Sequence, residues 1–172
     1  ATVSPTQNLY LIAQYKTDVT SVFDMADDGS FVSRLSYALS PIDGMQAAAG
    51  TLEGDIVYKK NGSNGQGFIW NAILEGENPW EDNQKYWYFH MNPMSGGISL
   101  CNVYDGVFTT VKGLVVEQQP EVLQKKYNEF IKGPEDSQAV FRVRIDFNED
   151  YISVYVDGIE IIKATPAMTG WE

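Results

Sequence analysis

The last third of the chain carries the pattern that most limits the fold, an alternation of apolar and polar residues with a period of two. From 141 to 156 apolar residues fall at every second position on either side of a polar turn at Glu149-Asp150. Asp157-Gly158 then follows as a second turn. Alternation of this kind places side chains on opposite faces of a strand, and Asp-Gly favours the tight turn of a β-hairpin. The sequence therefore predicts an antiparallel meander of three strands.

The apolar positions also predict the register of this meander. Setting the apolar side chains on one face requires specific cross-strand partners. The predicted pairs are Val143 with Val156, Ile145 with Val154, Phe147 with Ile152, Tyr155 with Glu160, and Val154 with Ile161. The other face carries a ladder of charges and tyrosines, which usually only solvates a sheet. Its members are Arg142, Arg144, Asp146, Tyr151, Ser153, Tyr155 and Glu160.

Further strands are predicted upstream, where β-branched and aromatic residues cluster between turn residues. They cover 10–15, 22–23, 31–39, 51–59, 68–75, 86–92, 98–105 and 107–117, the last as one or two strands. A Gly- and Asn-rich loop at 60–67 predicts that 51–59 and 68–75 pair as a hairpin.

One amphipathic helix is predicted near 120–132. Pro120 suits its first turn, Gly133 suits its end, and apolar residues recur between them at helical spacing. These apolar residues are Leu123, Tyr127, Phe130 and Ile131. With about ten short strands and one helix, the sequence favours an all-β fold, either a two-sheet antiparallel sandwich or a closed barrel. We predict a single sandwich domain over 1–172, of the jelly-roll, concanavalin-like type.

Charge and composition exclude several classes of partner. The formal charge of −11 and the absence of a basic run argue against nucleic acid. No apolar run is long enough to span a bilayer, so no membrane insertion is expected. The one cysteine, Cys101, predicts a buried thiol and excludes an internal disulfide. Richness in aromatic residues, Gly and Asn favours an extracellular, secreted protein, while the oligomeric state is left open.

The segment 86–92 is the strongest candidate for a binding strand. Alternation places Trp87, Phe89 and Met91 on an apolar face, and tyrosines, His90 and an asparagine on the other. Such a strand either binds a ligand or is covered by another part of the protein. Sugars stack on aromatic rings and hydrogen-bond to polar side chains. If 68–75, 86–92 and 98–105 are neighbours, the candidate glycan-binding residues are Trp70, Trp80, Tyr86, Tyr88, His90, Asn92, Asn102 and Tyr104.

Three alternatives to a lectin-like module stay open. A glycoside hydrolase or polysaccharide lyase of the same fold would need paired carboxylates, for which the candidates are Glu75, Glu77 and Asp82. A barrel enclosing a small molecule and a structural or adhesive domain are the other two. No cofactor is expected. A single histidine does not make a zinc site, and calcium is considered only for Asp24, Asp27 and Asp28 in an acidic turn.

Several motifs resemble those of galectins in kind and order. They are His90-Met-Asn92-Pro93, Leu100-Cys-Asn102, Phe141-Arg-Val143 and the hairpin that ends in Asp157-Gly158. The resemblance implies that His90, Asn92 and Asn102 touch the hydroxyls of a galactoside. Met94 stands where galectins have an arginine. The late hairpin is also similar to that of concanavalin-like and laminin-G-like sandwiches, the group of lectins and glucanases. The Glu-x-Asp-x-x-Glu motif of laminarinase-type glucanases is absent from the sequence.

Overall fold

The structure is a computed structural model that describes residues 23–25, 31–33, 49–60, 66–73, 85–104 and 107–165. The described strands are Phe23–Met25 (β1), Phe31–Ser33 (β2), Gly50–Lys59 (β3), Gln66–Ile73 (β4), Lys85–Met91 (β5), Ile98–Tyr104 (β6), Val107–Leu114 (β7), Gln138–Phe147 (β8), Ile152–Val156 (β9) and Ile159–Ala164 (β10). A 3-10 turn at Val116–Gln118 precedes one α-helix, Glu121–Lys132 (α1).

The chain divides into two compact units, one spanning Tyr10–Met45 and the other the rest of the chain. In the smaller unit, β1 and β2 form an antiparallel pair in which Phe23 lies opposite Ser33. The predicted strand at 10–15 lies outside the described residues. That the whole chain forms a single domain stays a prediction.

The larger unit contains two four-stranded antiparallel sheets. The first sheet has the order β10-β9-β8-β3, and the second sheet has the order β4-β5-β6-β7. Apolar residues from both sheets and from α1 share one core, in which the rings of Trp70 and Phe147 approach to 5.9 Å. The fold is therefore an all-β sandwich with one helix, as predicted.

The predicted register of the meander is confirmed across β8 and β9. Val143 lies opposite Val156, and Ile145 lies opposite Val154. The turn at Asp157-Gly158 has positive φ angles of 50° and 80°, as a primed hairpin turn requires. Beyond the turn, the prediction that Val154 faces Ile161 is wrong. A bulge after Glu160 shifts the register by one residue, so that Val154 faces Ile162.

The predicted hairpin of 51–59 with 68–75 is also wrong. β3 belongs to the first sheet and pairs with β8 along its whole length, whereas β4 pairs with β5 in the second sheet. Opposite charges match across β3 and β8, where Arg142 contacts Asp55 at 3.2 Å and Glu53 at 3.4 Å. The pairing of β3 with β8 also sets apolar side chains opposite each other, Leu52 with Ile145 and Ile56 with Phe141.

The helix begins and ends as predicted, with Pro120 at its N-cap and Gly133 at its C-cap. Its buried face presents Leu123, Tyr127 and Phe130, and the latter two rings contact Tyr58 of β3. Ile131, which was expected on this face, is instead 38% exposed. The helix thus adds aromatic side chains to the core of the sandwich.

The two sheets approach each other closely where β3 passes β4. A Cβ atom placed on Gly54 of β3 would lie 2.8 Å from the Phe68 ring of β4. No carbon atom fits at that separation, so the ring of one sheet occupies the space that a side chain at position 54 would need. Within the described residues, no helix is long and apolar enough to cross a membrane.

Candidate functional site

The strand β5 has the two faces that its alternation predicts. Trp87, Phe89 and Met91 point into the core between the sheets. Tyr86, Tyr88 and His90 therefore lie on the opposite, outer face of the second sheet. The structure thus separates the apolar face from the face that carries tyrosines and the only histidine.

The neighbouring strands add polar and aromatic residues to this outer face. The register places Ser99 opposite His90 and Cys101 opposite Tyr88. On the edge strand β7, Thr110 lies beside Cys101 and Phe108 lies beside Val103. Side chains directly opposite each other share a face. We call five of the half-buried and exposed residues on this face the ring surface, and these are Tyr88, His90, Ser99, Phe108 and Thr110.

Exposure is uneven across the outer face. Tyr86, Cys101 and Val103 are each at most 1% exposed. In contrast, Phe108 is 43% exposed, and Tyr88 and His90 are half-buried. Of the two uses considered for such a strand, binding and being covered, the structure shows that Tyr86 is covered and that Tyr88, His90 and Phe108 are partly accessible.

The rings of this surface lie close together but are not parallel. Tyr88 is 5.4 Å from His90 with an angle of 48° between the ring planes. Tyr88 is 6.2 Å from Phe108 in a T-shaped arrangement with an angle of 68°. Such inclined pairs are favourable for aromatic rings, so Tyr88 supports both of its neighbours. The rings line an angular surface rather than a flat one.

Burial sets the protonation of the titratable groups on this face. It lowers the pKa of His90, so the imidazole is neutral at pH 7. Burial also raises the pKa of Tyr88, and it raises that of Tyr86 to about 12, so both hydroxyls stay protonated. The pKa of the Cys101 thiol is raised by burial as well, and its Sγ lies 3.8 Å from the Thr110 hydroxyl. The ring surface therefore offers neutral donors and acceptors.

Asn92, at the end of β5, has a defined role in the turn that follows. Its side-chain oxygen accepts hydrogen bonds from the backbone N–H groups of Met94 (2.9 Å) and Ser95 (3.3 Å). Its backbone N–H donates to the carbonyl of Gly97 at 2.9 Å. These contacts hold the β5–β6 turn closed and engage the side-chain oxygen of Asn92, a residue that the galectin resemblance assigns to sugar binding.

The segment before α1 and the helix itself fix the same turn from outside. The Tyr127 hydroxyl donates to the carbonyl of Met94 at 3.0 Å, and the Gln119 amide donates to that of Gly96 at 2.7 Å. Gly96 has a φ of +68°, and a Cβ atom there would lie 2.4 Å from Val116. The helix thereby anchors the turn that joins β5 to β6, the strands that carry His90 and Ser99.

Three of the predicted glycan-binding residues lie elsewhere. The strands β4, β5 and β6 are neighbours as expected, but their register places Trp70 and Asn102 beside Trp87, on the inner face. Trp70 is 5% exposed and stacks on Trp87, and Asn102 is 4% exposed. Tyr104 lies opposite Lys85 at the strand end, and the Lys85 amine sits 4.4 Å from the centre of its ring. The structure does not bring these three residues to the ring surface.

Other candidates lie outside the part of the chain that the structure describes. These are Trp80, the carboxylates Glu75, Glu77 and Asp82, and the calcium candidates Asp27 and Asp28. Asp24 lies in β1, where only the backbone is described. Among the described side chains, no group of three or more His, Cys, Asp or Glu residues is placed to hold a metal ion.

Sequence reasoning missed Ser99, Phe108 and Thr110 of the ring surface. The segment 107–117 was predicted to be extended, but its faces were not assigned. The bulge in the pairing of β6 with β7 comes only after Cys101, so alternation from the pair Tyr104 and Val107 does give the face of Phe108. The sequence signal for this part of the surface was the aromatic residue Phe108 followed by two threonines.

The outer face of the first sheet has a different character. As predicted, it is a ladder of charges and tyrosines, and its members pair with one another. Arg144 contacts Asp146 at 2.5 Å and lies over the ring of Tyr155, whose hydroxyl donates to Glu160 at 3.0 Å. Although burial acts to raise it, hydrogen bonds from Arg144 and Thr51 lower the pKa of Asp146. This face is charged and internally paired, which suits a solvated surface.

Comparisons with known proteins find no family and only a distant structural likeness. No model of a protein family matches the sequence, and no curated protein matches it. A solved structure with a similar fold is the carbohydrate-binding module CBM66 from Bacillus subtilis, with 12% identity and a TM-score of 0.45. The match covers 69% of this chain and 60% of the module, so the chain spans less than two thirds of that protein. A likeness this distant carries no argument about function.

Proposed function

We propose that the protein is a carbohydrate-binding module that holds a glycan on the ring surface of its second sheet. The observation that carries the proposal is the grouping of three rings with two hydroxyl side chains on one half-open sheet face. Aromatic rings take the apolar C–H faces of sugars, and hydroxyl and imidazole groups match the hydrogen-bonding edges.

The exposed members of the surface have distinct roles in this proposal. Phe108, 43% exposed, offers a ring against which a sugar can stack. The neutral imidazole of His90 carries one donor and one acceptor, and Thr110 and Ser99 each offer a hydroxyl. Tyr88 supports the two rings on either side of it and keeps a protonated hydroxyl. Binding of this kind needs no cofactor.

The expectations about cellular location and lectin class belong to the same proposal. An extracellular location fits a glycan ligand, and the concanavalin-like and lectin classes describe sandwiches that bind sugars on a sheet face. The supporting feature in the chain is the partly open face of the second sheet, whereas the outer face of the first sheet carries ion pairs.

The test is calorimetric titration of a soluble oligosaccharide panel, followed by two variants of matched exposure. Phe108→Ala removes a ring from the ring surface. Val140→Ala is the control, because Val140 is 47% exposed and lies on β8 of the other sheet. We expect Phe108→Ala to weaken binding about tenfold, equivalent to roughly 1.4 kcal/mol, and Val140→Ala to leave it unchanged.

Two results would count against the proposal. One is the absence of binding to every member of the panel by a folded sample. The other is an equal effect of the two variants, which would place the sugar away from the ring surface. Circular dichroism and urea unfolding of each variant establish that the fold is kept.

A further inference from the structure

We infer that the ring surface selects an uncharged, soluble glycan chain, and rejects both anionic polysaccharides and flat crystalline ones. The inference rests on the proposed function and adds the chemical class of the ligand. It is drawn from the charge distribution over the two sheets and from the angles between the rings.

The first observation is that the two outer faces differ in charge. The chain has 35 charged residues, 23 acidic and 12 basic. On the outer face of the first sheet, Glu53, Asp55, Arg142, Arg144 and Asp146 form hydrogen-bonded ion pairs. On the outer face of the second sheet, the described positions of β5, β6 and β7 carry no Asp, Glu, Lys or Arg. The ring surface is thus uncharged in a highly charged protein.

This absence of charge has a direct consequence for the ligand. A carboxylate or sulfate that leaves water at a binding surface needs a cationic or multiply hydrogen-bonding partner. Among the five residues of the ring surface, His90 is the group able to become cationic, and burial keeps it neutral. The net charge of −11 also repels a polyanion over the whole surface. A neutral sugar avoids both costs.

The second observation is the inclination of the rings. A crystalline polysaccharide presents a flat array of sugar faces, and several coplanar rings are needed to lie against it. Tyr88 is inclined by 48° to His90 and by 68° to Phe108. No plane can contact all three ring faces at once. The surface instead fits a single chain that presents one sugar face to Phe108 and its hydroxyls to His90.

The experiment compares matched pairs of glycans with the whole protein. Neutral dextran and dextran sulfate form one pair, and neutral galactan and polygalacturonate form a second. Further neutral hexose and pentose oligosaccharides complete the soluble panel. Titrations at 20 and 300 mM NaCl measure the electrostatic contribution, which salt would screen. Sedimentation with microcrystalline cellulose and with chitin measures binding to flat surfaces.

We expect at least one neutral soluble glycan to bind, with a dissociation constant that changes less than about twofold between the two salt concentrations. We expect no binding to the anionic partners and no sedimentation with the crystalline polymers. Binding of a sulfated or uronate glycan, a roughly tenfold loss of affinity in 300 mM NaCl, or sedimentation with cellulose would overturn this inference and leave the proposed function intact. No binding to any glycan would overturn both.

Discussion

Replacing Gly96 with alanine is expected to destabilise the protein, because the new side chain would be strained by the backbone and would overlap its neighbours. Gly96 sits in the β5–β6 turn with a φ of +68°, where an L side chain is strained by about 1–2 kcal/mol. The added Cβ would also lie 2.4 Å from Val116 and 2.6 Å from the ring of Tyr127. Overpacking of this kind costs about 1–3 kcal/mol. The two contributions together predict a loss of roughly 2–5 kcal/mol.

The matched control is Gly158→Ala. Gly158 also has a positive φ, 80°, but no atom lies within 4 Å of a Cβ built there. Both variants share the backbone strain and the lower entropy of an unfolded chain that has alanine in place of glycine. The difference between them therefore measures the steric contact alone, and we expect Gly96→Ala to be the less stable by about 1–3 kcal/mol.

Urea unfolding followed by tryptophan fluorescence gives both free energies, provided that the slope with denaturant is unchanged. Equal losses for the two variants would refute the reasoning, because they would show that Val116 and Tyr127 move aside at no cost. The result also bears on the site, since this turn joins the strands that carry His90 and Ser99.

Further predictions concern protonation, the thiol and one ion pair. Because burial lowers the pKa of His90 below that of the unfolded chain, the unfolded state binds the proton more readily, and the free energy of unfolding should fall from pH 7 to pH 5. His90→Gln should flatten that fall in urea titrations, and an unchanged profile would contradict the assignment. Cys101, 1% exposed, should react with a thiol reagent only as fast as the protein opens, whereas rapid reaction in the native state would show that its burial is wrong. Asp157→Asn keeps an acceptor for the N–H of Arg142 and removes the charge that faces Lys126 at 2.5 Å. It should cost about 1 kcal/mol at low salt and less in 1 M NaCl, and a loss that salt does not change would argue against an ion pair.

Sequence reasoning succeeded where a short turn and an apolar alternation specify the same pairing. Val143 and Val156 were paired correctly because only one register buries all the apolar side chains of β8 and β9. It failed beyond Glu160, where a bulge inserts one residue, and at β3, which pairs with the distant strand β8 rather than with β4. Distant pairings depend on complementarity between segments, which local patterns do not contain.

The site was predicted only in part, because its membership depends on the pairing between strands as well as on alternation within one strand. The face of Tyr88 and His90 followed from alternation within one strand. Asn102 was placed with them on chemical grounds, but the register across the turn puts Ser99 and Cys101 on that face and Asn102 on the other. Phe108 lies opposite Val103 in the register that pairs Tyr104 with Val107, so alternation would have given its face if the faces of 107–117 had been assigned. Residue type therefore suggested the kind of chemistry, and the register decided which residues share the outer face.

The close approach of Gly54 to Phe68 sets a rule for how this sandwich can vary. The two positions lie in different sheets and share one volume, which the ring fills because position 54 has no side chain. A related chain that carries alanine or a larger residue at position 54 is then expected to carry a residue smaller than phenylalanine at position 68. Substitutions at the two positions should compensate in size, so their covariation would report the spacing between the layers.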